Sequence, residues 1–276
     1  MRSLPGRQLA AAIRSEAADF AAGLAAAGAA PRLAVVTATA DPASAWYVRS
    51  IAAAAAKAGI VCDVIEARAS SAEVSAALSA LSADPAVHGI ILQTPLPEGA
   101  SLAELAGGID VGKDVDGANP ASLGRLVAGL PAFAPATAEA VVALLDHHGV
   151  AVASQRVVVV GRSVVVGKPV AHLLLDRDAT VTICHSRTRD LASVTRQADI
   201  LVVAAGRAGL IGPAHVAPDA VVIDVGTNPG PDGRLVGDVD PSVAAAALSP
   251  VPGGVGPVTT ALLLRHVAEA AAASGG

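Results

Sequence analysis

The sequence predicts an α/β protein organised as two parallel-sheet domains, and three observations carry that expectation. Short apolar runs recur along the 276-residue chain, Ala-rich segments of helical periodicity separate them, and aromatics make up only 1% of a composition that is 53% apolar. With so few rings to stack, the core has to be assembled from Val, Leu, Ile and Ala, which suits strands covered by helices on both faces.

In chain order, the apolar positions from Gly6 to Ala27 follow helical spacing, with charges at Arg7, Arg14, Glu16 and Asp19, and Gly28 supplies a stop. LAVVT at 33–37, VCDVI at 61–65 and HGIILQ at 88–93 then read as strands joined by helices, the pattern of βαβ units. The second half repeats the rhythm in RVVVV at 156–160, TVTIC at 180–184, ILVVA at 200–204 and AVVID at 220–224. Between the halves, Pro131 and Pro135 break the chain before a helix predicted from about Thr137 to His147 and closed by Gly149. The domain join is placed there. A last helix over 259–273 follows the PVPGG run and is expected to return to the first domain. The expected division is thus a first domain of 1–135 completed by 259–276, a second of 136–258, and a cleft between them.

Composition excludes several classes. Single-stranded nucleic-acid binding draws on basic grooves and aromatic platforms, whereas this chain has a net charge of -5 and almost no rings. No run of about 18 apolar residues marks a membrane span, and charges scattered through MRSLPGRQLAAAIRSEA interrupt any secretory apolar region. A cytoplasmic protein is expected. Cys62 and Cys184 are far apart and lack Cys or His partners at ligand spacing, which favours reduced thiols over a disulfide framework or a zinc site.

The most informative turn follows the strand at 156–160. GRSVVVGKP places Gly161, Ser163 and Gly167 where a strand passes into a helix, and the N–H groups of a helix start can hold a phosphate. The pattern is GxSxxxG rather than GxGxxG, and glycines at strand ends also serve ordinary turns, so both readings stand at this point. The end of the next strand adds to the case. Where an NAD site offers a carboxylate to the ribose, this chain has His185, Ser186, Arg187 and Thr188, a set suited to the 2′-phosphate of NADP.

In the first half, Tyr47 of DPASAWYVRS is the single Tyr and sits at a predicted helix start, open to a functional role or to a core position with a polar tip. Gln93 ends a strand before the stiff TPLP turn, at the sheet edge where α/β sheets bind ligands, or else bonds its own loop. KDVDG at 113–117 sets Asp114 and Asp116 two apart. A calcium loop starting at Asp114 would need Glu at its twelfth position, which is Arg125, so a substrate carboxylate and a structural turn remain the two readings, and no metal is expected. His147 and His148 at a helix end read as favourable charges or surface residues.

Together and in order, DPASAWYV, GIILQTPLP, KDVDGANPASLGRL, VVVVGRSVVVGKP, TVTICHSRT, DVGTNPGPDGRLVGDV and PVPGGVGPVTTALLL resemble the methylenetetrahydrofolate dehydrogenase/cyclohydrolase family. The resemblance implies a catalytic domain, a Rossmann-type NADP domain, a folate substrate in the cleft and a homodimer. It implies that Tyr47, Gln93 and Asp116 face the folate, with Asp116 binding the pterin and Tyr47 near the reacting carbon. It also implies that Gly254, Val255 and Pro257 line the substrate. Gly161, Arg162, Ser163, Ser186, Arg187 and Thr227 would then hold NADP, Thr227 standing where isoleucine is usual.

The departures are as specific as the matches. The family's YVxxK lysine, one helical turn beyond the tyrosine, is Ile51 here. Lys57 is about 240° further round the helix and about 9 Å along it, and Arg49 points about 200° away, so neither fills the position. The family's PCTPxG becomes Pro135, Ala136, Thr137, Ala138, Glu139, Ala140, and Thr39 and Ala40 replace the usual GD. Positioning can supply much of the barrier lowering for hydride transfer without lysine, whereas opening a methenyl ring with water needs an acid or base that Ile51 cannot be. The expectation is NADP-dependent oxidation of 5,10-methylenetetrahydrofolate with the cyclohydrolase step lost or weak. A relative repurposed for another iminium-type substrate, or a non-catalytic folate- or NADP-binding paralogue, are the alternatives.

Overall fold

The structure, a computed structural model, describes residues 1–67, 70–230 and 233–274. Its elements begin β1 (Arg2–Ser3), α1 (Arg7–Ala26), β2 (Arg32–Thr37), α2 (Pro42–Lys57), β3 (Val61–Glu66), α3 (Ser71–Ala83) and β4 (Gly89–Gln93). They continue α4 (Leu102–Ala106), α5 (Pro120–Val127), α6 (Ala136–His147), β5 (Arg156–Val160), α7 (Gly167–Leu175), β6 (Thr180–Cys184), α8 (Leu191–Thr195) and β7 (Ile200–Val203). The chain ends β8 (Val221–Asp224), β9 (Asn228–Pro229), β10 (Leu235–Val236), β11 (Ala247–Leu248) and α9 (Val255–Ser274). These form two compact units, one of Ala11–Ala136 with Thr260–Gly276, the other of Met1–Ala10 with Thr137–Thr259.

The first unit holds a three-stranded parallel sheet in the order β3-β2-β4. Central β2 is buried at every position after Arg32, as an unbroken apolar strand must be when both faces are covered. Its core joins Val36, Val74, Leu78, Ile90, Leu92 and Ile109. Local signals start the helices: Asp41 accepts the Ser44 N–H at 2.7 Å ahead of α2, and Ser70 accepts that of Glu73 ahead of α3. Because β3 and β4 lie on opposite sides of β2, the crevice of this sheet falls at the carboxyl ends of β2 and β4.

The second unit carries a six-stranded, wholly parallel sheet in the order β1-β11-β8-β7-β5-β6. Val158, Val160, Leu201, Val203, Ile211 and Val222 supply its core. β5 lies between β6 and β7, so the switch point of this Rossmann-type sheet is again at the carboxyl end of its first crossover strand.

Most predicted bounds fall within a residue or two of those observed. Three differences have physical causes. Residues 1–10, expected with the first domain, group with the six-stranded sheet, because β1 pairs with β11 and Leu4 is fully buried. A two-residue strand has no periodicity to read. α9 starts at Val255 rather than 259, with Gly254 N–H donating to Pro250 O at 2.8 Å just before it. β9 and β10 add a short antiparallel ribbon. Among the described residues, no helix is long and apolar enough to cross a membrane.

Candidate functional site

In the first unit, Tyr47 and Asp116 come together. Tyr47 lies in the second turn of α2, where its phenol hydrogen-bonds Thr260 and feels the charge of Asp116. Burial, and then that carboxylate, raise the phenol above its ordinary range, so it stays protonated at neutral pH. Burial and the neighbouring Asp114 push the Asp116 carboxyl up to about 7, against the opposing pull of His266 and the Ala136 N–H.

The two aspartates of KDVDG have separate tasks. Asp114 is fully buried and accepts the N–H groups of Ala118 and Asn119, each at 2.9 Å, so it shapes the loop. Asp116 keeps part of its surface accessible. Thus the structural-turn reading applies to Asp114, while Asp116 beside it is less enclosed. Gln93, at the carboxyl end of β4 opposite Thr37, donates its side-chain N–H to Thr94 O at 2.8 Å. Thr39 donates to Pro95 O at 3.3 Å and joins the loops after β2 and β4.

Ile51 follows Tyr47 by four residues on the same face of α2 and is fully buried. The chain has three lysines, and none serves that position. Lys57 is exposed at the end of α2, and Lys168 is exposed on α7 of the other unit. Lys113 is committed to the carbonyls of Ser82 and Asp84 at 2.8 and 2.7 Å, near the end of α3.

In the second unit a cavity of about 430 Å³ opens at the carboxyl ends of β5, β6 and β7. Gly161, Arg162, Ser163 and Ser186 line it, joined by His185 and Arg207. The glycines are sterically required: a Cβ on Gly161 would collide with Ala204 O, and one on Gly167 with Gly161 O, so a side chain at either would close the turn. Ser163 Oγ accepts from the N–H groups of Val166 and Gly167 at 3.2 and 3.3 Å, which fixes the entry to α7. A phosphate-bearing dinucleotide fits this cradle of glycine backbone, hydroxyls and guanidinium. Arg187 and Thr227 are exposed and stand outside the described lining. Gly254 and Val255 are buried and Pro257 half-buried at the start of α9.

Two buried aspartates hold the far wall of this cavity. The Asp238 carboxylate accepts the N–H groups of Ala205, Gly206 and Arg207 at 2.6 to 2.8 Å, and the Asn228 amide at 2.8 Å. Asp224 accepts from Gly226, Asp238 and Val239 at 2.9 to 3.0 Å. A Cβ on Gly226 would strike Asp238, and one on Gly237 would strike Asp224. DVG and GDV are therefore one interlocked device that shapes the Ala204–Arg207 wall. In the sequence DVG and GDV carry no sign of this mutual hold, and Arg207 has no local signal, because it comes to the cavity only through the pairing of β7 with β5. His148 Nε2 lies 3.1 Å from Pro5 O, helping to hold the first residues in this unit.

Residues 4–116 match the catalytic domain of the tetrahydrofolate dehydrogenase/cyclohydrolase family, and residues 135–274 match that family's NAD(P)-binding domain. The bifunctional protein FolD 1 of Saccharopolyspora erythraea is 62% identical over 99% of this chain and 95% of its own length. The bifunctional methylenetetrahydrofolate dehydrogenase/cyclohydrolase of Campylobacter jejuni superposes with a TM-score of 0.94 at 36% identity, covering 99% of both chains. The Trypanosoma brucei enzyme of the same description, complexed with NADP cofactor and inhibitor, gives 0.92 at 36% identity over 99% of this chain and 98% of its own.

Proposed function

The chain belongs to the tetrahydrofolate dehydrogenase/cyclohydrolase family, and from that premise we propose that it oxidises 5,10-methylenetetrahydrofolate to 5,10-methenyltetrahydrofolate with NADP, its cyclohydrolase step lost or weak. The observation that carries the reading is Ile51. A fully buried alkyl side chain stands one turn from Tyr47, and no lysine of the chain is available there.

Gly161, Arg162, Ser163 and Ser186 hold the cofactor, with Arg187 and Thr227 at its exposed rim. When bound, NADP supplies the hydride acceptor. The cavity and the NADP-complexed Trypanosoma brucei relative support this assignment. On the folate side, Asp116 accepts hydrogen bonds from the pterin, protonated Tyr47 orients the ring bearing the reacting carbon, and Gln93 offers its carboxamide at the sheet edge. Orientation of this kind lowers the barrier to oxidation without a proton carrier, whereas hydrolysis of the methenyl ring requires one.

One observation favours a second reading. With its carboxyl pushed up to about 7, Asp116 can exchange a proton near neutrality, and with it the chain would be bifunctional, as its Saccharopolyspora erythraea relative is named. A homodimer in the cytoplasm completes the proposal, and the support for the dimer is β3, an edge strand that leaves Val61 and Val64 exposed.

The deciding experiment supplies methylenetetrahydrofolate and NADP and follows methenyl formation and decay in one trace, for the wild type and Ile51→Lys. Methenyl product that persists with wild type and decays faster with the variant supports the first reading. Wild-type decay well above the buffer rate supports the second. No NADPH under any condition overturns both.

A further inference from the structure

Helix α9 reaches the Tyr47–Asp116 pair at two points. Thr260 hydrogen-bonds the Tyr47 phenol. Six residues on, His266 is 3% exposed and its Nδ1 lies 2.8 Å from Val115 O. A carbonyl oxygen can only accept, so Nδ1 carries the hydrogen. The imidazole also lies against Phe133, with ring centroids 4.9 Å apart and planes tilted by 34°.

Val115 is flanked by Asp114 and Asp116, so this bond grips the middle of the KDVDG loop. The loop has little slack around it. Asp114 is tied to Ala118 and Asn119, and a Cβ on Gly117 would press on the backbone of Phe133 to Pro135. On the other side, a Cβ on Gly89 would meet Val267 of α9 at 2.9 Å and Val115 at 3.0 Å. The titratable groups facing the imidazole are the carboxyls of Asp114 and Asp116, both drawn down by it against the effect of burial, with Tyr47 beyond Asp116. On α9 itself, Arg265 and Glu269 approach each other at 3.5 Å.

We propose that His266 is a positioning residue for the folate site: its Nδ1–H fixes the backbone at Val115 and so sets where Asp116 stands beside Tyr47. The inference rests on the folate reading given above. Tyr47 and Asp116 are the pair that meets substrate, and α9 is the strut that holds both, Tyr47 through Thr260 and Asp116 through His266.

The test compares His266→Asn with His266→Gln. An asparagine amide nitrogen reaches the place of Nδ1, whereas that of glutamine reaches toward the place of Nε2. Three quantities are read: kcat and KM for methylenetetrahydrofolate, folate affinity from the fluorescence of Trp46, the single tryptophan and next to Tyr47, and NADP affinity. H266Q is expected to raise the folate KM about tenfold and weaken folate binding in step, H266N to stay within about threefold of wild type, and NADP affinity to hold in both. A merely structural role would lower the melting temperature of the variants without separating their KM values. Equal KM in the two variants, whether normal or impaired, overturns the proposal, as does impairment of H266N alone. If H266Q shows no cooperative melting transition it has misfolded, and H266N decides: a KM near wild type upholds the proposal and a tenfold rise overturns it. A wild type that neither forms NADPH nor responds to folate overturns the folate reading itself, and this inference with it.

Discussion

The two units solve their binding problems with different materials. Around the cavity at the end of β5, the essential features are backbone ones: glycines with no room for a Cβ, and two buried aspartates whose ligands are main-chain N–H groups. At the carboxyl ends of β2 and β4 the proposed folate site rests instead on individual side chains, Tyr47, Gln93 and Asp116, beside a conventionally packed core. A backbone device tolerates little change, because altering one glycine dislodges its partner. A side-chain site tolerates exchange more readily: Ile51, on the face of α2 that carries Tyr47, simply fills the core.

That contrast can be broken by experiment, and the largest effect belongs to the interlocked aspartates. Asp238→Ala strands three main-chain N–H groups and the Asn228 amide, so we expect a loss of about 3–5 kcal/mol in stability and of NADP binding. Denaturant melts and NADP titration check it; a variant that binds NADP normally would show the wall to be self-supporting. Next comes Ile51→Lys. Burying an ammonium where an alkyl group sits should lower stability by about 2–4 kcal/mol while NADP affinity holds, because the damage is confined to the first unit.

Asp116→Asn tests the side-chain site through pH. Since the folded carboxyl titrates near 7 rather than near its ordinary 4, the folded state holds its proton more tightly than the unfolded chain. Its stabilising contribution is therefore full below about pH 4 and is lost as pH rises through about 7. Substrate affinity should run the opposite way, improving through that window as the accepting carboxylate forms. Asp116→Asn should flatten both trends and raise the folate KM about tenfold or more, read from stability and KM profiles between pH 5 and pH 8. The smallest expected effect distinguishes two arginines, Arg162 in the cavity lining and Arg187 outside it. Arg162→Ala should reduce the preference for NADP over NAD about tenfold, and exposed Arg187→Ala about threefold or less; the reverse order would move the 2′-phosphate to Arg187.

Much of this was legible without coordinates. Unbroken apolar runs such as RVVVV and LAVVT have one comfortable fate, a strand covered on both faces, and Gly161 with Ser163 and Gly167 marked the turn that opens the cavity. That Ile51 shares a face of its helix with Tyr47 could be read because a helix places positions four apart on one face. Other features had no local signal. KDVDG contains two identical carboxylates, and only burial and hydrogen bonding assign Asp114 to the loop while leaving Asp116 partly accessible. His266 lies 151 residues from the carbonyl it holds, in a helix too uniformly apolar to single it out.

What the sequence by itself determined is whatever depends on spacing along the chain: the alternation of strands and helices, the glycine turn, and an alkyl residue, Ile51, one helical turn from Tyr47. What only tertiary structure decided is whatever depends on residues distant in sequence meeting. The joining of β1 to β11, the reciprocal hold of Asp224 and Asp238, and the placing of Asp116 beside Tyr47 all belong there. The physical reason is that periodicity records which face of an element is buried, whereas the charge and hydrogen bonding of a buried group depend on which other elements close over it.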